Sequence, residues 1–188
     1  MSSRFYETDR ALSEYLLFHY GKPEEVLPHG FGPVDALNFP VRCVIECLRS
    51  QLLPENARAL DLGCALGRSA FELARNCGEV IGIDASLRFI QVAEQLQANG
   101  RFHYAFRVEG DITQHAIAEV PVEIERQRVS FEQGDALALR SGLGSFDVVH
   151  MANLIDRLSH PVKCFEQLPA LVKPGGQLTL PSPCTWLD

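Results

Sequence analysis

Small residues occupy every second position of the segment 61–67, which reads DLGCALG and joins an apolar stretch to a helical one. Small side chains let a backbone turn sharply and come close to a ligand. In an open parallel sheet, ligands bind outside the carboxyl ends of the strands, where such a junction lies. The segment therefore predicts a ligand-binding loop, whose candidate contacts are Asp61, Gly63, Cys64, Ala65 and Gly67.

Dinucleotide sites use a similar turn, with the fingerprint GxGxxG. Here the small residues follow the GxGxG spacing instead, with Ala65 in the place of the middle glycine. The acidic Asp61 lies two positions before the first glycine, where dinucleotide sites usually keep the strand apolar. Both features favour S-adenosylmethionine (AdoMet) over NAD as the cofactor.

Further carboxylates follow at the ends of later predicted strands. Asp84 comes about 20 residues after the loop, where a carboxylate accepts hydrogen bonds from ribose hydroxyls. Asp135 ends a later strand and suits the exocyclic amine of adenine. Aspartate is also common as a helix N-cap, but three aspartates at successive strand ends favour a cofactor site. Its remaining candidate contacts are the neighbouring residues Ala85, Ser86 and Ala136.

The segment after the fourth predicted strand supplies candidates for the methyl acceptor. Asn153 and Asp156 lie there, at the sheet edge that faces the transferable methyl group, and Asn153 is also a candidate cofactor contact. In the alternative interpretation, Asn153 caps a helix and Asp156 pairs with Arg157. The flanking histidines are not candidates, because a single histidine is more often structural than catalytic.

The surrounding pattern of strands and helices predicts an α/β fold of the Rossmann-like, class I methyltransferase type. Its sheet is mainly parallel, with helices on both faces. Residues 1–56 form a predicted helical cap or substrate lid, and 57–188 the AdoMet-binding core with an insertion at 101–128. The predicted helices are 7–20, 40–53, 67–76, 86–98 and 161–171, and the predicted strands 57–62, 80–83, 129–133, 146–151 and 177–180, with an additional strand at 102–108 and an undetermined form for 111–125.

Composition narrows the class of partner. The 188 residues are 46% hydrophobic and 22% charged, as in one globular domain, and the net charge of -7 disfavours nucleic acid. No apolar run approaches the roughly 20 residues of a membrane span, and the first residues do not read as a signal peptide. The six cysteines lack CxxC spacing, which favours buried thiols over disulfides or a metal site. We expect a cytoplasmic protein with a small-molecule substrate, no nucleic-acid or membrane partner, and no metal.

Several longer motifs make the whole chain resemble one family, the 4-mercaptohistidine N1-methyltransferases. Members form the C-terminal domain of bifunctional ovothiol synthases or occur as freestanding proteins. The motifs are Tyr6-Glu7-Thr8, Phe18-His19-Tyr20-Gly21, Asn38-Phe39-Pro40, Cys64 to Leu73, Gly82-Ile83-Asp84, Arg88-Phe89-Ile90-Gln91, Gln133-Gly134-Asp135-Ala136, Ala152 to Leu158, Ser182-Pro183 and Thr185-Trp186.

The resemblance implies transfer of the AdoMet methyl group to an imidazole nitrogen of 4-mercaptohistidine, also numbered 5-thiohistidine, in ovothiol biosynthesis. Tyr6, Tyr20, Asn153 and Trp186 would then hold the ring so that nitrogen, rather than the softer sulfur, faces the methyl carbon. In the alternative, Tyr6 and Tyr20 only pack the N-terminal helix onto the sheet. Two other functions stay open: methylation of a different small molecule, or a truncated, non-catalytic subunit.

The sequence departs from the family pattern at three places. Ala85 replaces an expected aromatic residue, and Cys184 replaces an expected tyrosine. The family is expected to continue beyond Asp188 with a helix and a final antiparallel strand pair. Without them, the last predicted strand is an uncovered sheet edge. This predicts a homodimer or another partner over that edge, a fragment or short isoform, or an adjusted fold.

Overall fold

The computed structural model describes residues 5–185. Within that range the α-helices are α1 (Asp9–Tyr20), α2 (Pro23–Val26), α3 (Phe39–Cys47), α4 (Arg68–Leu73), α5 (Leu87–Asn99) and α6 (Pro161–Leu171). The strands are β1 (Arg58–Leu62), β2 (Glu79–Asp84), β3 (Arg101–Glu109), β4 (Ile112–Glu119), β5 (Val129–Gln133), β6 (Phe146–His150) and β7 (Val172–Thr179). Short 3₁₀ turns occur at Val34–Ala36, Ser50–Leu52, Arg126–Arg128 and Ile155–Arg157.

Five strands form the main sheet, in the order β5-β2-β1-β6-β7, and every neighbouring pair is parallel. Leu62 pairs with Ile83, and Asp84 pairs with Gln133. The carboxyl ends of β1, β2 and β5 therefore meet at one edge of the sheet. This arrangement confirms the predicted Rossmann-like fold.

Successive side chains of a strand point to opposite faces of a sheet, and the two faces here carry separate hydrophobic clusters. Ala59 and Val80 belong to a cluster that also includes buried residues of α1, α4 and α5. Their neighbours Leu60 and Ile81 belong to the other cluster, which includes buried residues of α6. Helices thus cover both faces, as the sequence predicted.

The ends of several elements differ from the predicted ones. Helix α3 ends at Cys47 because Leu48 adopts an extended conformation, and a 3₁₀ turn replaces the last predicted helical residues. Strand β7 begins directly after α6, earlier than the predicted start at residue 177, and its pairing with β6 is irregular through 173–176. The predicted N-cap of α5 is present, since the Ser86 hydroxyl accepts a hydrogen bond from the Phe89 amide.

The predicted insertion at 101–128 contains an antiparallel hairpin of β3 and β4. Strand β4 lies in the segment whose form the sequence left undetermined. Tyr104 and Phe106 of β3, with Ala116 and Ala118 of β4, are buried in the same cluster as Leu16 of α1. The hairpin therefore extends the core on one face of the sheet.

Helices α1, α2 and α3 all lie in the segment predicted as a helical cap. Buried residues of α1 and α3 join the hydrophobic cluster of the main sheet, so this segment packs directly on the core. The boundary at residue 56 and a lid function stay predictions. Among the described residues, no helix is long and apolar enough to cross a bilayer.

Candidate cofactor and acceptor site

A crevice of about 500 Å³ opens where β1, β2 and β6 end. Its size falls within the roughly 300–1,000 Å³ typical of small-molecule sites. The predicted residues that line it are Tyr6, Asp61, Gly63, Cys64, Ala65, Asp84, Ala85, Ser86, Asp135, Ala136 and Asn153. Most of the predicted cofactor contacts therefore share one cavity.

The loop after β1 borders the crevice with its backbone. The amides of Gly63 and Cys64 both donate to the carbonyl of Ile83, at 2.8 and 3.1 Å. Gly63 and Ala65 adopt left-handed conformations, with φ of 78° and 46°. A left-handed conformation costs a non-glycine residue about 1–2 kcal/mol, so the surrounding contacts hold Ala65 in a strained turn.

Asp84 supplies one of these contacts. Its Oδ2 accepts from the Ala65 amide at 2.9 Å, and its Oδ1 accepts from the Ser86 amide at 2.9 Å. Burial raises the pKa of this carboxyl, and the two amide hydrogen bonds partly oppose the increase. Asp84 thus fixes the turn of the loop while its carboxylate lines the crevice.

Asp61 is 1% exposed, and its Oδ2 has no hydrogen-bond partner among the described residues. Burial, followed by the charge of Asp84, raises the pKa of this carboxyl to about 8. A buried carboxyl with one unpaired oxygen beside a second carboxylate favours a cationic group. AdoMet carries an ammonium group, so the carboxyl acceptors at this end of the crevice fit AdoMet.

Asp135 lies beyond the end of β5, which is separated from β1 and its loop by β2. Its exposed carboxylate accepts from the Leu137 amide at 2.8 Å through Oδ1. Ala85 and Ala136 add apolar surface next to it. The Ser86 hydroxyl caps α5 and donates to the carbonyl of Tyr6 at 3.3 Å, so it joins the N-terminal segment to the cofactor side.

The other end of the crevice is built from α1 and the turn before it, the start of α3 and the segment after β6. These elements contribute Tyr6, Glu14, Tyr15, Phe18, His19, Phe39, Pro40, Asn153, Leu154, Arg157 and Leu158. Asn153 has φ of 52°, and its buried Oδ1 lacks a hydrogen-bond partner within the described chain. It does not cap the 3₁₀ turn that follows, whose N-cap is Leu154.

Three predicted site residues do not line the crevice. Gly67 adopts φ of 77° at the start of α4, and a Cβ there would lie 2.4 Å from the Phe131 ring. Its lack of a side chain serves packing between α4 and the sheet. Tyr20 is turned toward the back of the loop, where its hydroxyl donates to the Leu66 carbonyl at 2.8 Å.

Asp156 is also away from the crevice. It is 1% exposed and accepts from the hydroxyls of Ser182 and Thr185, at 3.3 and 3.1 Å. Arg157 lies beside it with Nε at 3.6 Å, as the alternative interpretation anticipated. Asp156 therefore holds the segment after β7. Trp186, the last predicted substrate contact, lies outside the described residues.

His19, Arg157 and Glu14 line the crevice although the sequence did not single them out as site residues. Tyr15 and His19 are four positions apart on α1, which places them on one face of the helix. That spacing was the available signal, but it predicts a buried face without saying whether the face borders the core or a cavity. Among residues 5–185, no cluster of three or more His, Cys, Asp or Glu side chains could hold a metal ion.

Two kinds of solved structure share this fold at low sequence identity. The 4+2 cyclase SpnF has a TM-score of 0.61 and 19% identity, covering 93% of this chain and 56% of that chain. The glycopeptide N-methyltransferase MtfA, solved with sinefungin, has a TM-score of 0.53 and 18% identity, covering 75% of this chain and 52% of that chain. Since one neighbour is a cyclase, these likenesses concern the fold alone.

Sequence comparison is more specific. A ubiquinone biosynthesis O-methyltransferase of Xanthomonas axonopodis pv. citri is 30% identical over 148 residues, which are 79% of this chain and 51% of that protein. The chain spans about half the length of the curated relatives that it matches. The family profile described as "Methyltransferase domain" matches residues 53–188, most of the chain. This match covers more than half of the chain, and the order of the parallel strands agrees with it. The chain therefore belongs to the methyltransferase domain family.

Proposed function

We propose that the chain binds AdoMet and transfers its methyl group to an imidazole nitrogen of 4-mercaptohistidine. The observation that carries the proposal is a single small crevice with two different ends. One end has the buried carboxyl of Asp61, whose Oδ2 has no partner among the described residues. The other end combines aromatic side chains with Arg157 and with Glu14, which pairs with Arg10 at 2.7 Å.

The cofactor end offers one group for each polar part of AdoMet. Asp61 would accept hydrogen bonds from the ammonium group, Asp84 from the ribose hydroxyls, and Asp135 from the adenine amine. When bound, AdoMet supplies a methyl carbon that its sulfonium already activates. The loop amides and carboxylates then mainly orient the cofactor, and orientation of this kind lowers a barrier by several kcal/mol.

The acceptor end suits a small zwitterion that carries a planar ring. Tyr6, Phe18 and Phe39 present ring surfaces on which a heterocycle can stack. Arg157 would pair with a carboxylate and Glu14 with an ammonium group, as charge-assisted hydrogen bonds favour. An amino acid with an imidazole side chain carries all three features.

Selection of nitrogen over sulfur requires the acceptor ring to be held in one orientation. The unpartnered Oδ1 of Asn153 would accept a hydrogen bond from the acceptor. A buried acceptor atom of this kind costs about 1–3 kcal/mol when it is left without a partner. Asn153 therefore favours an acceptor that brings an N–H or O–H donor. The motifs shared with the 4-mercaptohistidine N1-methyltransferases, including Tyr6 and Asn153, support the same acceptor.

A second candidate function is O-methylation of a phenol. It is favoured by the ubiquinone biosynthesis O-methyltransferases among the relatives. The aromatic wall of the crevice would also hold a phenol ring. A simple phenol offers no carboxylate to Arg157 and no ammonium group to Glu14, which already pairs with Arg10 at 2.7 Å. We therefore place this function second.

The deciding experiment incubates the full chain and AdoMet with 4-mercaptohistidine, histidine or 3,4-dihydroxybenzoate, and identifies the products by mass spectrometry and NMR. We expect methylation of a ring nitrogen of 4-mercaptohistidine and much slower turnover of the other two compounds. Turnover of the dihydroxybenzoate alone would replace the first proposal with the second.

Calorimetry with AdoMet completes this test. We expect saturable binding to a folded sample. Binding of AdoMet without methylation of any of the three compounds would overturn both acceptor assignments. A folded protein that binds no AdoMet would support the non-catalytic subunit.

A further inference from the structure

His19 lies in the last turn of α1 and borders the crevice at its acceptor end. Its Nδ1 is buried and has no hydrogen-bond partner among residues 5–185. Burial, followed by the charge of Arg68, lowers the pKa of this imidazole to about 3. His19 is therefore neutral near pH 7, and a neutral imidazole has one donor and one acceptor nitrogen.

The ring of His19 is held in place by aromatic neighbours. The ring centroids of Tyr15 and Phe18 lie 5.6 and 5.5 Å from it, and that of Tyr20 lies 6.4 Å away. The Tyr20 hydroxyl in turn binds the Leu66 carbonyl. The imidazole thus has a fixed position relative to the loop at the cofactor end.

The described residues leave Nδ1 of His19 without a hydrogen bond. Buried polar atoms are nearly always hydrogen-bonded, and one left unpaired costs about 1–3 kcal/mol. His150 differs in part, because its Nδ1 is 2.6 Å from the Thr179 hydroxyl, although its Nε2 is also buried without a partner among the described residues, and it does not line the crevice. The side chain of His19 borders the acceptor end, where a bound molecule could supply a hydrogen-bond partner to the imidazole.

We propose that His19 positions the methyl acceptor through a hydrogen bond from a heteroatom N–H or O–H of the acceptor to its neutral imidazole. This inference rests on the proposed function and deepens it by naming a further residue at the same site. For an imidazole acceptor, the bonded N–H belongs to the nitrogen that is not methylated. The lone pair of the other nitrogen then faces the methyl carbon.

The chemical step balances without transfer of a proton to His19. A bond forms between the attacking nitrogen and the methyl carbon, and the methyl–sulfonium bond breaks with its electron pair kept by sulfur. The positive charge moves from the sulfonium to the methylated ring. The ring loses its remaining proton to solvent after release, so His19 acts by orientation.

The test compares His19→Phe, which keeps an aromatic ring without hydrogen bonding, with His19→Gln, which restores a hydrogen-bonding group. We expect His19→Phe to lower kcat/KM for 4-mercaptohistidine at least tenfold and to raise the ratio of sulfur to nitrogen methylation. His19→Gln should recover part of both. The Kd for AdoMet should stay within twofold in each variant, and His115→Phe, at an exposed position of the hairpin, should behave as the wild type.

An unchanged ratio of products, or a loss of AdoMet binding equal to the loss of turnover, would mean that His19 is only structural. A second measurement separates this result from failure of the proposed function. Protein with ¹⁵N-labelled histidine is saturated with sinefungin and titrated with 4-mercaptohistidine or 3,4-dihydroxybenzoate, with the His19 signal assigned from His19→Gln.

A shift of the His19 ring nitrogens with either compound supports the inference, even if 4-mercaptohistidine is not the compound that is methylated. If only the dihydroxybenzoate is methylated, the tenfold loss in His19→Phe is expected with that acceptor. The absence of any shift with both compounds would overturn the inference.

Discussion

The two ends of the crevice are built in different ways. The cofactor end consists of backbone turns and of carboxylates at strand ends, with Asp61 and Asp84 on neighbouring strands. The acceptor end consists of side chains from α1, α3 and the segment after β6, which the packing of separate elements brings together. We conclude that the parallel sheet specifies the cofactor end, whereas helix packing specifies the acceptor end. Substitutions should therefore separate the two.

The largest expected effect is that of Asp84→Ala at the cofactor end. It leaves the amides of Ala65 and Ser86 without their acceptor and removes the carboxylate from the crevice. We expect the Kd for AdoMet to rise more than about a hundredfold, or roughly 3 kcal/mol. Calorimetry measures the Kd, with Asp111→Ala, an exposed carboxylate outside the crevice, as the control. An unchanged Kd in folded Asp84→Ala would remove Asp84 from the site.

The second prediction concerns Gly67, which packs the start of α4 against Phe131 of the sheet. In Gly67→Ala, the new methyl group would lie 2.4 Å from the Phe131 ring, at a residue with φ of 77°. Overpacking and left-handed strain together should lower the free energy of unfolding by about 3 kcal/mol. Urea denaturation measures this loss.

Gly63→Ala is the matched control for Gly67→Ala, with φ of 78°. The nearest atom to its new methyl group is the Leu154 Cδ1 at 3.0 Å, the end of a flexible side chain. We expect a loss of about 1 kcal/mol there, together with weaker AdoMet binding. Equal losses of stability in the two variants would contradict the packing role of Gly67.

The third prediction uses the titration of Asp61. Its pKa rises from 3.8 to about 8 in the folded chain. Between these two pH values the carboxyl is ionised in the unfolded chain and protonated in the folded chain. The free energy of unfolding is therefore highest below pH 4 and falls as the pH rises toward 8. Asp61→Asn removes the loss and should stabilise the ligand-free protein by about 2 kcal/mol at pH 8, with no gain at pH 4. Thermal melts at both pH values measure the difference, and lower stability of the variant at pH 8 would contradict it.

The same carboxyl should release a proton when a cation binds beside it. At pH 7 Asp61 is mostly protonated in the ligand-free chain, and the ammonium group of AdoMet favours its ionised form. Calorimetry in two buffers with different ionisation enthalpies should report close to one proton released by the wild type. Asp61→Asn should release none and should bind AdoMet more weakly.

The fourth prediction addresses the acceptor end. Arg157→Gln removes the cation of the crevice and should raise KM for 4-mercaptohistidine about tenfold, or roughly 1.4 kcal/mol. The Kd for AdoMet should not change, because the cofactor end is built separately. Steady-state kinetics test this, with Arg140→Gln as the control, since Arg140 pairs with Glu132 outside the crevice. A KM unchanged by Arg157→Gln would exclude a carboxylate contact.

The smallest effect is expected at Tyr20, which links α1 to the loop after β1. Tyr20→Phe removes the hydrogen bond to the Leu66 carbonyl and should lower the free energy of unfolding by about 1 kcal/mol. Urea denaturation measures the loss, and Tyr104→Phe is the control because its hydroxyl has no partner within the described chain. An equal loss in the control would show that the hydrogen bond adds nothing.

The cofactor end could be predicted from the sequence because its geometry follows from the sheet. Aspartates at the ends of adjacent parallel strands must converge, and Asp61, Asp84 and Asp135 do line one crevice. Gly67 was assigned to the ligand because glycine spacing does not distinguish close approach of a ligand from close approach of a side chain. Here the approaching group is Phe131.

The acceptor end was less predictable because helical periodicity identifies a buried face but not what covers it. The neighbours His19 and Tyr20 illustrate the difficulty: His19 borders the crevice, whereas Tyr20 binds the back of the loop. After β6, Arg157 likewise borders the crevice, whereas Asp156 accepts a hydrogen bond from Thr185. Which member of each pair faces the cavity depends on packing between distant segments.

The hairpin of β3 and β4 has a consequence for how acceptor choice can change during evolution. Its buried side chains support α1 from behind, and α1 carries much of the acceptor wall. Insertions or substitutions in the hairpin can therefore tilt that wall without altering any strand end that meets the cofactor. A change of this kind would reshape the proposed acceptor end while the strand ends of the cofactor end stay as they are.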